Sequence, residues 1–221
     1  MDLRFINLCS KGNLLGAQQH LQLYPNMDIS AQNEEAFHWA CNLGHLEMAQ
    51  WLFQISKERG HYINISAIND WVFRVVCGNG HLHVAQWLLQ IKPDINISAQ
   101  NEQAFRTACF YDYLAVAQWL FQVSKERGKT INISAEDEYA FRWSCINGHL
   151  AVAQWLQSLK PYLYVINYDE NGEYQNCYIR CKKEANWEKR KYLLYIASDC
   201  KEDNLLYRLP CDVAKIMIGY V

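Results

Sequence analysis

The stretch from Asn79 to Ser98, NGHLHVAQWLLQIKPDINIS, decides the fold because it recurs along most of the chain. Its tryptophan, Trp87, has counterparts at Trp51, Trp119 and Trp155, at spacings of 36, 32 and 36 residues. A unit of roughly 20–50 residues that repeats in this way is typical of arrays in which neighbouring units bury one continuous core. We therefore expect an array of stacked helical repeats, a solenoid, from residue 1 to residue 164.

The tryptophan register divides this array into five repeats. Phe5, Cys9 and Gly12 place the first repeat 32 residues ahead of the second, but Gln19 and His20 stand where the second repeat has tryptophan and leucine. Such polar replacements suit an end repeat with one face towards water. The repeats are 1–28, 29–64, 65–96, 97–132 and 133–164, and they leave 165–221 as a C-terminal capping segment.

Each repeat predicts two helices joined by a tight turn. In the second repeat Ala36, Phe37, Ala40 and Cys41 form the buried stripe of a first helix, which ends near Gly44. A second apolar helix follows this turn. Asp112 takes the place of the turn glycine in the fourth repeat. The expected N-cap residues of the first helices are Asn33, Asn69, Asn101 and Asp137.

When the first repeat is counted by its 32-residue offset from the second, the repeats alternate in length between 32 and 36 residues. The four additional residues fall in the related segments Ser56–Gly60 and Ser124–Gly128, both of sequence SKERG. Because four residues make about one helical turn, this alternation predicts a longer second helix in every other repeat. Residues 29–96 and 97–164 then form two copies of a 68-residue double unit.

The repeated segments resemble the ankyrin repeat. Glu35–Cys41, of sequence EAFHWAC, is similar to the TPLHxA segment of that family, and Gly80–Ala85, GHLHVA, is similar to its GHxxVV segment. The amino-acid sequence of these segments is most similar to that of ankyrin-repeat proteins from giant DNA viruses, and the resemblance covers about three quarters of the chain. The resemblance implies a mainly all-α solenoid of five helix pairs. The β-fingers should be degenerate, because Thr-Pro is replaced and the short repeats are one residue shorter than the family's usual length.

The repeat is lost after Tyr164. Val165–Asp169 and Tyr174–Arg180 are rich in aromatic and β-branched residues and flank Asn171-Gly172, which predicts a β-hairpin. Glu184–Ser198 predicts a helix, and Pro210 precedes a second, C-terminal one. We expect this segment to cover the end of the solenoid.

Composition excludes several classes of function. The net charge of −2 and the 20% of charged residues create no strong field, so a nucleic-acid partner is not expected. No apolar run approaches the roughly 20 residues of a membrane span, and the N-terminus lacks a signal-peptide pattern. We expect a soluble, intracellular monomer, in the host cytoplasm if viral and a candidate virion component. Cys9, Cys41, Cys77, Cys109 and Cys145 share one repeat position and are expected to fill the core, not to form disulfides.

No catalytic, cofactor-binding or metal-binding motif is recognisable, so we expect a protein that is not an enzyme. The tryptophans could form a ligand platform but are expected to pack between repeats. His45, His81 and His149 each follow a turn glycine, which favours a shared structural bond. Zinc is a minor alternative, because the spacing of its four candidate ligands is unusual. These are Cys177, Cys181, Cys200 and Cys211.

The outward positions of the first helices differ from repeat to repeat, which predicts a face that binds a protein partner. The resemblance to ankyrin proteins places this face on the concave side. Aromatic residues and arginine, which dominate binding hot spots, are frequent here, although individual side chains could instead pack against neighbouring repeats. The candidates are Glu35, His38, Trp39, Trp71, Arg74, Gln103, Arg106, Phe110, Tyr139, Arg142 and Trp143.

An alternative function is suggested by the C-terminus, where LPCDVAKIMIGYV resembles the opening helix of an F-box and the truncated F-box of many poxviral ankyrin proteins. The resemblance implies a substrate adaptor for a cullin-type ubiquitin ligase, held by a Skp-type adaptor protein. It covers only about thirteen residues and is an analogy. The residues that would bind the adaptor are Leu209, Pro210, Val213, Ile216, Met217 and Tyr220.

Overall fold

The structure is a computed structural model that describes residues 2–180, a part of the chain that is mostly helical. It divides into two compact units between Val152 and Ala153. The helices are α1 Leu3–Ser10, α2 Leu14–Leu23, α3 Ala31–Asn42, α4 Leu46–Glu58, α5 Ala67–Gly78, α6 Leu82–Ile91, α7 Ala99–Phe110, α8 Leu114–Glu126, α9 Ala135–Ile146 and α10 Leu150–Leu159. The strands are β1 Tyr164–Tyr168 and β2 Tyr174–Ile179.

The helices of the first unit follow a regular packing order. Helices α1, α3, α5 and α7 each pack against the helix that follows them in sequence. The first helices, α1, α3, α5, α7 and α9, also pack side by side in that order. The outward positions of neighbouring first helices therefore lie next to one another.

The core of the helix pairs comes from the positions that the sequence marks as apolar. Phe37, Phe73, Phe105 and Phe141 are buried, as are the residues three positions later, which are Ala40, Val76, Ala108 and Ser144. The tryptophans lie between repeats, as expected: Trp51 is 6.3 Å from Phe5, Trp87 is 6.2 Å from Phe37, and Trp119 is 6.2 Å from Phe73, measured between ring centroids. These contacts join α4, α6 and α8 to the first helix of the preceding repeat.

The turn between the two helices also joins neighbouring repeats. Gly44 and Gly80 adopt φ of +78° and +80°, and Asp112 takes the same left-handed conformation at +65°. The ring of His81 packs directly on Gly44, and the ring of Tyr113 packs on Gly80. The ring that follows each turn therefore lies against the glycine of the preceding repeat, which leaves no space there for a Cβ.

The second helices alternate in length, which confirms the prediction from repeat length. Helices α4 and α8 have 13 residues, whereas α2, α6 and α10 have 10. The additional turn brings Arg59 to the loop of the preceding short repeat, where it donates to the carbonyls of Pro25 and Met27. Its counterpart Arg127 donates to the carbonyls of Pro93 and Ile95 at 2.6 and 2.8 Å. The bonds therefore couple each long repeat to the short repeat before it.

A left-handed turn opens three of the first helices, and the predicted N-caps are wrong. Residues 68–70, 100–102 and 136–138 all have φ between +52° and +63°. Asn69, Asn101 and Asp137 therefore lie inside a left-handed turn, a conformation that asparagine and aspartate tolerate better than most residues. Asn33 likewise lies inside α3, which begins at Ala31. The N-cap position of all four helices is a serine instead.

Two other expectations about the repeats need correction. His20 of the first repeat is buried against Asp2, so only Gln19 of the two polar replacements is exposed. Cys145 is half-buried and disulfide-bonded, so the expectation of core-filling, unbridged cysteines is wrong for this residue. The other four are free and buried: Cys9, Cys41, Cys77 and Cys109.

The second unit contains the predicted hairpin. Strands β1 and β2 pair antiparallel, with Tyr164 opposite Ile179, and Gly172 adopts φ of +83° in the connecting turn. Arg180, at the end of the hairpin, donates its backbone N–H to the carbonyl of Leu163 at 2.8 Å. Residues 2–163 contain no β-finger strands. The two predicted C-terminal helices lie outside the described residues.

Candidate functional site

The candidate face is built from α3, α5, α7 and α9. The eleven candidate residues lie on these four helices, which pack side by side. The structure separates them by burial, however. Trp39 is 40% exposed and Trp71 is 37% exposed, whereas Arg74 is only 8% exposed. The face therefore contains both accessible side chains and side chains that support it from below.

Arg74 is one of the supporting residues. Its Nε donates to the carbonyl of Asn69 at 2.9 Å, and a terminal nitrogen donates to the carbonyl of Ile68 at 3.0 Å. A further bond runs to the side chain of Gln103 on α7. These bonds satisfy carbonyls that the left-handed turn leaves without helical partners. Arg74 thus stabilises the turn and is not accessible to a partner.

Arg106 and Arg142 occupy the same repeat position but are more exposed. Arg106 donates to the carbonyls of Asn101 and Gln100 at 2.8 and 3.2 Å, and its guanidinium lies 5.0 Å from the ring centre of Tyr139. Arg142 forms an exposed ion pair with Asp137 at 2.6 Å. Arginines at the same position of three repeats, Arg74, Arg106 and Arg142, therefore lie in three different environments.

Carboxylates at the start of the first helices bind the loop that ends the same repeat. Asp70 and Glu102 are buried, and each accepts a backbone N–H from the loop that ends its own repeat, that of Asn96 at 3.1 Å and that of Asn132 at 3.2 Å. Glu34 does the same with Asn64 at 3.3 Å. Since a buried carboxylate is costly unless it is hydrogen-bonded, these bonds fix the loop geometry under the face.

His38 stands where the later repeats have arginine. Its ring meets the indole of Trp71 edge-on at 5.6 Å, and its Nε2 lies 4.0 Å from the carboxylate of Glu34. Burial lowers the pKa of His38, while Glu34 and Glu35 oppose that shift. The neutral imidazole is thus favoured, and it packs beneath the indole. Trp39 is held in place by its Nε1, which donates to Glu35 at 3.2 Å.

The C-terminal part of the face is an aromatic cluster. Phe110 lies 6.0 Å from Tyr139 and 5.4 Å from Trp143, and the rings of Tyr139 and Trp143 are 5.8 Å apart. Tyr111 extends the cluster, 4.8 Å from Phe110 and 55% exposed, and Ile146 on α9 is 68% exposed. Tyr111 was not among the predicted site residues. The loss of the usual turn glycine beside it is the feature that could have indicated it.

The cysteines and the cavities lie apart from this face. Burial raises the pKa of Cys9 to about 12, and it raises the pKa of Cys41, Cys77 and Cys109 further, so these thiols are protonated at neutral pH. A cavity of about 420 Å³ lies beside Asp2 and residues 23–27, and another of about 360 Å³ lies between α6 and α8.

Within residues 2–180, no group of His, Cys, Asp and Glu side chains is arranged to hold a metal ion. Three of the four cysteines considered for zinc, and the whole F-box-like segment, lie outside this range. In the same part of the chain, the helices are all too short or too polar to cross a lipid bilayer. In comparison with known proteins, no family model matches the chain, and no curated protein matches it.

Proposed function

We propose that this chain is a non-enzymatic protein–protein interaction module that binds a protein partner on the outward face of its first helices. The proposal includes an ankyrin-like solenoid of five helix-pair repeats with this face on its concave side. The observation that carries it concerns α3, α5, α7 and α9. Their buried residues are similar from repeat to repeat, whereas the residues at their outward positions differ. Given the resemblance to ankyrin proteins of giant viruses, the partner is a host or viral protein.

The residue types on this face support the proposal. Trp39, Trp71, Tyr139 and Trp143 present large, stiff rings, and aromatic residues supply most of the binding energy in many interfaces. Hydrogen bonds already hold parts of this face in place in the free protein. Arg74 donates to the left-handed turn, and Trp39 donates to Glu35. A pre-organised face loses less conformational entropy on binding.

The repeated histidines and cysteines also favour binding over chemistry. The Nε2 atom of His45 donates to the carbonyl of Ser10 in the preceding repeat at 2.9 Å, and His81 packs on Gly44. The buried thiols of Cys41 and Cys77 are protonated, which deprives them of nucleophilic character. Both residue types therefore serve the contacts between repeats.

The test begins with affinity capture from a host-cell extract, identification of the bound protein by mass spectrometry, and reconstitution with that protein in purified form. We expect Trp71→Ala to raise the dissociation constant at least tenfold, as for a hot-spot residue. The matched control is Tyr62→Ala, which removes an exposed aromatic ring from the loop after α4. Circular dichroism melting checks that both variants fold. Equal affinities of Trp71→Ala and the wild-type protein would show that the face is the wrong one.

A further inference from the structure

The turn between α7 and α8 departs from the pattern of the other repeats. The corresponding turns are Ser10-Lys11-Gly12, Asn42-Leu43-Gly44, Gly78-Asn79-Gly80 and Ile146-Asn147-Gly148, whereas the fourth repeat has Phe110-Tyr111-Asp112. Asp112 keeps the left-handed φ of the glycine, so the backbone of the turn is preserved. The departure thus changes the side chains and not the conformation.

The change creates an aromatic patch, which we define as Phe110, Tyr111, Tyr139 and Trp143. Phe110 is its centre, with ring centroids of the other three at 4.8 to 6.0 Å. Tyr111 is mostly exposed and the other three rings are half-buried. The patch therefore offers several π-faces at one place on the proposed binding surface.

The surroundings of the patch carry more carboxylates than cations. Four carboxylates lie in the turn and at the start of α9: Asp112, which is 3.9 Å from the ring of His149, and the acidic residues at positions 136–138, of which Glu136 accepts from Asn101. The nearby cations are already engaged, since Arg106 donates to two backbone carbonyls and Arg142 pairs with Asp137. An incoming anion would meet net repulsion here, whereas an incoming cation would meet both carboxylates and ring faces.

The protein itself shows that the patch accepts a guanidinium, because Arg106 lies over the ring of Tyr139 at 5.0 Å. We propose that the aromatic patch binds a basic, arginine-bearing segment of the protein partner. The planar guanidinium suits this surface better than an ammonium, since it stacks on rings and pairs with carboxylates at the same time. This inference rests on the proposed function, of which it names the partner chemistry.

The structure offers a variant that removes two rings of the patch, including the central one, and keeps the turn. Phe110→Asn, Tyr111→Leu and Asp112→Gly together give the fourth repeat the turn of the second repeat. There Asn42 accepts from Asn79, and His81 packs on Gly44. Asn147 and His149 stand at the equivalent positions beside the fourth repeat's turn, so the grafted turn has its neighbours in place. We expect this turn-graft variant to fold and to match the wild-type melting temperature.

The probe is a fluorescein-labelled peptide of nine residues in which arginine alternates with serine. Its controls are the same peptide with citrulline, which is neutral and nearly isosteric, and a proline-rich peptide of equal length. Fluorescence anisotropy measures the dissociation constants at low and high salt. We expect the arginine peptide to bind at least tenfold tighter than the citrulline peptide. Its affinity should fall at least tenfold in the turn-graft variant and fall less in Asp112→Asn, while Tyr62→Ala, which lies outside the face, leaves it unchanged.

Equal binding of the arginine and citrulline peptides, preference for the proline-rich peptide, or undiminished binding by the folded turn-graft variant would each overturn the inference. The reconstituted partner separates this failure from that of the proposed function. If the partner still depends on Trp71 but the arginine peptide does not bind, only the assignment of partner chemistry is wrong. If the partner is insensitive to Trp71 as well, the proposed face is wrong too.

Discussion

Arg74, Arg106 and Arg142 share one position of the repeat and differ in their roles. Arg74 is buried and donates to two carbonyls of a left-handed turn, Arg106 combines the same bonds with stacking on Tyr139, and Arg142 forms an exposed ion pair with Asp137. Burial decides the difference, because a buried donor without water must be matched by protein acceptors.

We predict that Arg74→Ala destabilises the fold by about 2–3 kcal/mol. The substitution removes three charge-assisted hydrogen bonds from a buried site: two to the carbonyls of Ile68 and Asn69, which lose those donors, and one to the side chain of Gln103. Urea unfolding followed by circular dichroism measures the loss. The control is Arg142→Ala, which breaks an exposed pair that contributes about 1 kcal/mol or less. Equal losses in the two variants would contradict the structural role of Arg74.

His38 makes stability depend on pH. Its folded-state pKa lies below the ordinary value of 6.5 because burial disfavours the charged ring. The neutral ring contributes stability above the unfolded-state pKa, and that contribution is lost as pH falls through the folded-state pKa. We predict that unfolding free energy declines more between pH 7 and 5 in the wild-type protein than in His38→Arg, which carries the residue of the later repeats. An imidazole pKa at or above 6.5 in an NMR titration would contradict the prediction.

The sequence could not distinguish these roles, although it identified the positions. Periodicity correctly placed Phe37, Ala40 and Cys41 in the core. It also placed the histidine or arginine position of each repeat outside the core, which is wrong for the buried Arg74. It could not show that residues 68–70 form a left-handed turn, since that conformation depends on bonds to Arg74 and to the next loop. Because the burial of Arg74 follows from that turn, it could not be predicted from the sequence either.

At the scale of the element, the extra helical turn of α4 and α8 positions an arginine for contacts with the preceding repeat. It carries Arg59 and Arg127 to the carbonyls of the preceding short repeat. The repeat lengths alone predicted the longer helices, because four residues fit one turn. They also suggested 29–96 as a unit, but the arginine bonds couple the first repeat to the second and the third to the fourth.

We predict that Arg127→Ala lowers the free energy of unfolding by about 1–2 kcal/mol, because two hydrogen bonds from a charged donor to loop carbonyls are lost. The measurement is urea unfolding with intrinsic tryptophan fluorescence. Lys129→Ala, an exposed cation two residues further along, serves as the control and should change the free energy by less than about 0.5 kcal/mol. A similar effect of both variants would mean that only net charge matters.

The glycine turns give a second test at this scale. We predict that Gly80→Ala is destabilising by more than Gly128→Ala, although both glycines have positive φ. A Cβ at Gly80 would lie 2.4 Å from the ring of Tyr113, whereas nothing lies within 4 Å of one at Gly128. The open site should lose about 1 kcal/mol for the left-handed backbone alone. Thermal melts of the two variants decide the order, and equal losses would show that the ring can move aside.

At the scale of the whole molecule, the proposed array makes stability local. Each repeat in such an array contacts its neighbours only, so inner repeats are supported on two sides and end repeats on one. Helices α3, α5 and α7 each pack between two other first helices, whereas α1 packs only against α3 among them. The repeat period predicted the order of these contacts. It did not predict the inward turn of His20, because a polar residue in an end repeat suggested exposure.

We predict that amide hydrogen exchange is slowest in α5 and α7 and faster in α1 and α2. The reason is that an end helix pair can open while the remaining contacts stay intact. Hydrogen–deuterium exchange with mass spectrometry under native conditions measures this gradient. Uniform exchange across residues 2–150 would indicate one cooperative unit and would contradict the array.

The arginine bonds between long and short repeats also restrict how such a gene can lengthen. In each short repeat, a loop carbonyl accepts a hydrogen bond from an arginine that lies later in the chain. These arginines are Arg59 for the first repeat, Arg127 for the third and the hairpin residue Arg180 for the fifth. Duplication of a single repeat would place two short or two long units in succession and leave one loop or one arginine unmatched. Insertion of a whole 68-residue pair preserves the alternation. An array lengthened by two repeats therefore keeps every such loop bonded to an arginine, whereas one lengthened by a single repeat loses these bonds at one junction.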